Sequence, residues 1–97
     1  MTLVTFPLDL AEYAKDQDTQ AYLLESALQS GDPGHIANVL GIIARARGMT
    51  EVANKAGVTR EALYKALSLK GDPKLSTLQG VLKALGLKMR LEPIDTP

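Results

Sequence analysis

Hydrophobic residues recur at helical spacing through most of the chain. Ile36, Val39, Leu40 and Ile43 fall on one face of a helix, and residues 78–85 repeat that spacing. Positions three and four apart share a helix face, so both stretches predict amphipathic helices that bury one side. The chain is therefore predicted to be mostly helical.

Capping residues and glycines divide this pattern into separate helices. Asp32-Pro33 is typical of a helix start, and Gly31, Gly48 and Gly57 are typical helix stops. Ser76 is a candidate cap for the last helix. Helices are predicted over about 9–15, 19–30, 33–47, 50–56, 60–68 and 76–85. In the second of these, Ala21, Leu24 and Leu28 recur at helical spacing, with Tyr22, Leu23 and Ala27 alongside.

The pattern changes period after Gly86. In residues 87–92, Leu87, Met89 and Leu91 alternate with charged residues, which predicts a β-strand ended by Pro93. A single strand leaves its backbone groups unsatisfied. Its partner is predicted to be residues 2–6, the same strand of a second copy, or both.

A length of 97 residues fits one domain. We divide the domain at residues 1–97 into an N-terminal helical extension over 8–31, a core over 32–86 and the strand over 87–92. The fold class expected is mostly α: a five- to six-helix lambda-repressor-like helix-turn-helix domain with a short C-terminal strand.

The composition excludes several kinds of chemistry. The chain has no cysteine and one histidine, His35, which excludes thiol catalysis, disulfides and cysteine-based zinc sites. No nucleophile lies beside a base at a recognisable spacing, so we expect no enzyme, no metal and no cofactor. No apolar run approaches the roughly 20 residues that span a bilayer, and we expect a cytoplasmic protein without membrane contact.

Charge is distributed unevenly along the chain, although its sum is zero. Residues 1–44 carry six acidic residues against one lysine, a formal charge of −5, and residues 45–74 carry seven basic against three acidic residues, giving +4. Such asymmetry suggests two surfaces with different partners. Ordinary solvated helix faces would explain it equally well.

The basic middle segment contains the motif that indicates function. Two short helices that cross steeply need a small residue where they meet, and Ala53 supplies it. Gly57 can end the first helix in a left-handed conformation. Val52, Val58 and Leu63 are placed to lock the two helices together. This arrangement predicts a helix-turn-helix; the alternative is an αα-hairpin inside a helical core.

The outward face of this motif carries the residues expected to contact DNA. Its second helix fits the major groove, where Arg60 would bind a guanine or, nearly as well, a phosphate. The predicted DNA-binding residues are Thr50, Lys55, Thr59, Arg60, Glu61, Tyr64, Lys65, Ser68 and Lys70. Because one module makes few contacts, we expect a homodimer on a palindromic operator.

Several segments together resemble a known family. They are ARARGMT at 44–50, GVTREALYKALS at 57–68, GDP at 71–73 and ALGL at 84–87, with residues 22–23 and 31–32 upstream. In order and spacing they look like the addiction-module antidote (antitoxin) proteins, the HigA-like group with a Cro/repressor-type helix-turn-helix. The resemblance covers roughly residues 6–91.

The resemblance implies a bacterial antitoxin of a type II toxin-antitoxin system. It would bind and neutralise a RelE/HigB-like ribonuclease toxin and repress transcription of its own operon. It places DNA contacts at Arg60, Tyr64 and Lys65. The alternatives are a phage-type transcriptional repressor without a toxin, and a helical adaptor that has lost DNA binding.

A toxin that binds RNA should be basic. The acidic residues expected to face it are Asp9, Glu12, Asp16, Asp18, Glu25 and Asp32.

Overall fold

The computed structural model describes residues 16–95, which form five α-helices. They are α1 (Gln17–Ser30), α2 (Pro33–Arg47), α3 (Met49–Ala56), α4 (Arg60–Ala66) and α5 (Leu75–Ala84). The prediction of a mostly helical protein is confirmed. The helix predicted over 9–15 lies outside the described residues. Within the described part, no helix is both long and apolar enough to cross a membrane.

Local capping signals account for most helix ends. Asp32 accepts a hydrogen bond from the Gly34 N–H at 3.1 Å, with Pro33 in the first turn of α2. Gly31 ends α1 in the left-handed region. The last helix differs from the prediction, because α5 begins at Leu75 and its N-cap is Lys74 rather than Ser76.

The buried side of α1 includes only part of its apolar pattern. Gln20, Leu24 and Ala27 are buried, while Ala21 is exposed and Leu28 keeps 59% of its surface in solvent. Ala21 and Leu28 lie to one side of the buried positions, since each residue turns the helix by roughly 100°. Packing against α2 selects the face that contains Gln20.

One hydrophobic core joins the helices. The helix α3 packs against α2, α4 and α5, and α1 packs against α2. The largest apolar side chains that are almost completely buried among the described residues are Leu40, Ile43, Val52, Leu63, Val81 and Leu85. Because α3 contacts three other helices, its position fixes where α4 lies.

Arg47 connects α2 to the far end of α5. Its guanidinium donates hydrogen bonds to the carbonyl oxygens of Ala84 at 2.9 Å and Leu85 at 3.3 Å. Gln17 Nε2 also donates to the Leu85 carbonyl, at 3.2 Å. The last carbonyls of a helix have no partner within the helix and carry its partial negative charge, so a cation there is stabilising.

Two glycines let the chain after α4 approach α2 closely. A Cβ added at Gly34 or Gly41 would overlap the backbone carbonyls of Leu69 and Leu67, respectively. The 67–69 segment therefore lies directly on the α2 backbone, which fixes the C-terminal end of α4.

The strand predicted over 87–92 is not formed among the described residues, and residues 2–6, one of its predicted partners, lie outside them. Leu87 packs against the core, but residues 87–95 have no regular secondary structure, and residues 16–95 contain no strand. A strand requires a hydrogen-bonding neighbour. Within the described part of the chain, no segment pairs with 87–92.

Candidate nucleic-acid interface

The residues 49–66 form two helices joined by a three-residue turn. Gly57 ends α3 with φ 74° and ψ 29°, a left-handed conformation that a residue without Cβ adopts freely. Thr59 accepts a hydrogen bond from the Ala62 N–H at 3.0 Å and so caps α4. The left-handed conformation of Gly57 is the one that the sequence predicted there.

The residues predicted to join the two helices lie on their inner side. Val52, Ala53 and Leu63 are buried, with 0–2% of their surfaces exposed, and Val58 packs partly buried against the core. These residues therefore anchor α3 and α4 to the hydrophobic core, while the opposite face of α4 is exposed to solvent.

An open groove runs between the start of α3 and the outer face of α4. It is lined by Arg45, Gly48, Met49, Thr50, Glu51, Arg60 and Tyr64. Arg60 donates long hydrogen bonds to Thr50 Oγ1 at 3.4 Å and to the Tyr64 hydroxyl at 3.5 Å. Its guanidinium also lies over the Tyr64 ring, 5.6 Å from the centroid. These neutral partners orient the guanidinium, and no acidic side chain among residues 16–95 forms an ion pair with it.

One end of the groove is formed by the N-terminus of α3, where no side chain of residues 16–95 caps the first backbone N–H groups. The N-cap of α3 is Gly48, and no described side chain bonds to the first N–H groups of the helix. Such N–H groups carry a partial positive charge and bind anions well. With Arg45 and Arg60 alongside, this groove is suited to an anionic ligand such as a phosphate.

Other predicted residues lie around the groove. Lys55 forms a 3.5 Å ion pair with Glu51, in which both side chains are more than half exposed. Exposed pairs of this kind contribute little stability, so Lys55 can turn to another anion. Glu61, Lys65 and Lys70 are exposed, as the prediction requires.

Ser68 does not reach the groove lining. Its hydroxyl donates to the Lys65 carbonyl at 3.0 Å, just after the end of α4, and its side chain is half-buried. The structure thus gives Ser68 a local structural partner. Contact with DNA at this position stays a prediction.

Arg45 is not among the residues that the sequence predicted to contact DNA. Arg45 and Arg47 are two positions apart, so they leave α2 about 200° apart around its axis. Arg47 bonds to the end of α5, whereas Arg45 is exposed and lines the groove. The sequence does contain a sign of this role: Arg45 lies one helical turn before the motif, on the opposite face of α2 from Arg47.

Among residues 16–95, no group of three or more histidine and acidic side chains is placed to bind a metal ion.

The geometry defines a small helical protein with a cationic groove beside an exposed helix. A sequence profile described as "Probable addiction module antidote protein" matches residues 4–93, and the chain belongs to this family. A protein of Haemophilus influenzae (strain ATCC 51907 / DSM 11121 / KW20 / Rd), described as uncharacterized, is 40% identical over 84 residues, covering 87% of each chain. No solved structure matches the chain. The antidote part of the predicted resemblance is confirmed, and the family implies a toxin partner of some kind.

Proposed function

We propose that this protein is a HigA-like antitoxin that binds operator DNA through a Cro/repressor-type helix-turn-helix formed by α3 and α4. In this proposal it represses its own operon as a homodimer in the cytoplasm. It also neutralises a RelE/HigB-like ribonuclease toxin, and it acts by binding alone, without catalysis.

The groove at the uncapped start of α3 is the observation that carries DNA binding. Arg45, Arg60 and the first N–H groups of α3 converge there without an acidic side chain that binds either guanidinium among residues 16–95. A DNA phosphate would supply the missing anion. With the phosphate bound there, the N-terminal residues of α4 would face the base edges in the major groove.

The exposed residues of α4 support the same orientation. Arg60, Glu61, Tyr64 and Lys65 are all accessible, and Leu63 on the opposite side is buried. In this orientation Arg60 contacts either a guanine or a phosphate, and the Tyr64 ring limits its freedom through the cation–π contact. Lys65 and Lys70 would add phosphate contacts.

A mobility-shift experiment tests DNA binding directly. The purified protein is titrated with a duplex from the region upstream of its gene, over a series of salt concentrations. If Arg60 contacts phosphate, Arg60→Ala should weaken binding on all sequences and lower the salt slope by about one. If Arg60 reads a base, the substitution should relax the preference at one operator position.

Lys83→Ala is the matched control, because Lys83 is exposed on α5 and does not line the groove. It removes the same charge, so a site at the groove predicts that binding falls for Arg60→Ala and changes little for Lys83→Ala. Equal losses in both variants would show binding by overall charge and would contradict the proposed interface.

The exposed face of α1 supports a separate surface for the toxin. Asp18, Tyr22 and Glu25 lie on one face of this helix, and Leu28 lies beside them. Tyr22 and Leu28 are 68% and 59% exposed, and α1 contains no lysine or arginine. An exposed aromatic ring flanked by carboxylates suits a basic protein, as an RNA-binding toxin would be.

A phage-type repressor without a toxin is the alternative proposal. It would share the DNA interface, so the DNA experiment does not separate the two. Co-expression with the adjacent gene does: a stable complex that blocks ribonuclease activity supports the antitoxin. A protein that binds its operator while ignoring the adjacent gene product supports the repressor.

A further inference from the structure

The C-terminal tail, residues 87–95, leaves the helical core after Leu87, and its apolar side chains beyond that residue lie in solvent. Leu91 is 98% exposed, Ile94 is 80% exposed and Met89 is 50% exposed. The last backbone hydrogen bond of the described chain joins the Leu87 N–H to the Leu82 carbonyl at 2.9 Å. Exposed strand-patterned chain of this kind is a template for pairing with another strand.

We propose that the tail pairs with the tail of a second copy as antiparallel strands, with Leu91 on the two-fold axis. Met89 and Leu91 of both copies then lie on one face of the two-stranded ribbon. The inference rests on the homodimer of the proposed function and specifies its contact. Its test requires neither DNA nor toxin, so either idea can fail without the other.

The charges of the tail select this register. With Leu91 on the axis, Arg90 lies opposite Glu92 of the second copy, and the symmetry repeats the pair. Lys88 then lies opposite Ile94. Opposite charges directly across an antiparallel pair are stabilising, and like charges are destabilising.

The neighbouring registers place like charges together. An axis at Arg90 places Lys88 opposite Glu92 on both sides, but it brings the two Arg90 guanidiniums opposite each other. An axis at Met89 places Lys88 opposite Arg90 on both sides. Of the three registers, the Leu91 axis is the one in which no like charges meet.

Pro93 also fits the Leu91 register. In an antiparallel ladder, directly opposed residues alternate between hydrogen-bonded and non-hydrogen-bonded pairs. If the Leu91 pair is non-hydrogen-bonded, Arg90 and Glu92 form a hydrogen-bonded pair, and Pro93 falls at a non-hydrogen-bonded position opposite Met89. Proline has no N–H to donate, and at this position none is needed.

Charge exchange in the full-length protein tests the pairing by sedimentation equilibrium at low salt. Arg90→Glu should raise the dimer dissociation constant about tenfold, because Glu then faces Glu92 twice. The double variant Arg90→Glu, Glu92→Arg should restore the wild-type value. Lys88→Glu makes the same charge change opposite Ile94, where Glu92 of the second copy is only a diagonal neighbour, and should have a clearly smaller effect than Arg90→Glu. All three positions are exposed, so the monomer fold should persist.

A cysteine scan tests the register, since the natural chain has no cysteine. Leu91→Cys should form a disulfide between two copies under mild oxidation. The Arg90 and Met89 positions of the two copies would lie roughly 8 Å and 14 Å apart, too far for a disulfide, so Arg90→Cys and Met89→Cys should stay reduced.

Three results would overturn the proposal. The first is a wild-type protein that remains monomeric at high concentration, which would assign the tail to another segment of its own chain or to a different partner. The second is cross-linking at Met89→Cys or Arg90→Cys in preference to Leu91→Cys. The third is a loss of dimer for Lys88→Glu as large as for Arg90→Glu.

Discussion

The guanidinium of Arg60 lies 5.6 Å from the centroid of the Tyr64 ring, one turn further along α4. The same arginine donates to the Tyr64 hydroxyl at 3.5 Å, which is at the long limit for a hydrogen bond. The ring therefore orients a guanidinium that is directed into the groove. In the proposed interface, Tyr64 acts on DNA partly through Arg60.

This relationship predicts different results for two substitutions of Tyr64. Tyr64→Phe keeps the ring and should retain most of the operator affinity. Tyr64→Ala releases the guanidinium and should weaken binding by about 0.5–1 kcal/mol, the range of an exposed cation–π contact. Fluorescence anisotropy with a labelled operator duplex measures both. Equal losses in the two variants would mean that the hydroxyl, rather than the ring, is what matters.

The turn between α3 and α4 depends on the backbone conformation of Gly57. Its φ is +74°, and no heavy atom lies within 4 Å of where a Cβ would stand. A side chain at this position would therefore destabilise the protein only through strain in the backbone conformation, and not through a steric overlap. We expect Gly57→Val to lower the free energy of unfolding by about 1–3 kcal/mol, because a β-branched residue is strained in this region.

Gly57→Asn is the matched comparison, since asparagine tolerates the left-handed region better than valine. Urea denaturation should rank the proteins as wild type, then Asn, then Val. A valine variant as stable as the wild type would contradict the turn geometry.

The local helix boundaries could be predicted because their signals lie within a few residues. Asp32 and Thr59 cap their helices through side-chain oxygens, and Gly31 and Gly57 end theirs in the left-handed region. Each depends on its own backbone and immediate neighbours, which the sequence displays directly.

The buried face of α1 could not be predicted in the same way. Apolar residues lie on several sides of this helix. The side that packs against α2 contains the buried Gln20, and Tyr22 lies on the exposed side. A glutamine has a long aliphatic stem, and tertiary contacts decide whether that stem is buried. No local pattern separates these outcomes.

The part of the candidate site that lies on α4 was predicted, and the part that depends on the packing of α2 against the motif was not. The exposed face of α4 follows from the positions of Leu63 and Arg60 on one short helix. The contribution of Arg45 depends on how α2 lies relative to α4, which is a matter of tertiary structure. The same holds for residues 87–92. Their alternation of apolar and charged residues indicates a strand, but it does not specify the segment that the strand pairs with.

Leu63 anchors α4 to the core, with 0% of its surface exposed. Leu63→Ala should destabilise the protein by about 2–5 kcal/mol through lost burial and the cavity left behind. Leu69→Ala is the control, because Leu69 is 65% exposed and its substitution should change stability by less than about 0.5 kcal/mol. Chemical denaturation of both variants measures the difference. A small effect at Leu63 would show that α4 is not anchored as described.

Charge reversal on α1 tests the proposed toxin surface. Asp18→Lys combined with Glu25→Lys should slow association with the toxin by about tenfold at low salt and much less at high salt, because steering depends on charge. Asp16 is left unchanged, since its carboxylate caps α1.

The triple variant Asp72→Lys, Ser76→Lys, Gln79→Lys makes the same change in net charge at exposed positions outside α1 and outside the C-terminal tail. Stopped-flow association rates compare this variant with the α1 double variant. The same slowing in both would assign the effect to overall charge and remove α1 from the toxin interface.

The N-terminal end of α1 should respond to acid through Asp16. The Thr19 backbone N–H donates to Oδ1 of Asp16 at 2.8 Å, and the Thr19 hydroxyl donates to Oδ2 at 2.7 Å. Both hydrogen bonds favour the ionised carboxylate, and the one from the Thr19 backbone has the larger effect. Together they lower the pKa of Asp16 below its usual range. A pKa lower in the folded than in the unfolded protein means that ionised Asp16 stabilises the fold.

That stabilisation is present at neutral pH and persists down to the unfolded-state pKa of an aspartate, about 3.9. It is then lost as the pH falls through the lower pKa of folded Asp16. Asp16→Ala should therefore reduce the melting temperature at neutral pH, and its difference from wild type should shrink in strong acid. Asp18→Ala, which removes an exposed carboxylate from the first turn without removing the cap, serves as control. A difference between Asp16→Ala and wild type that stays constant with pH would show that the Asp16 carboxylate does not stabilise α1.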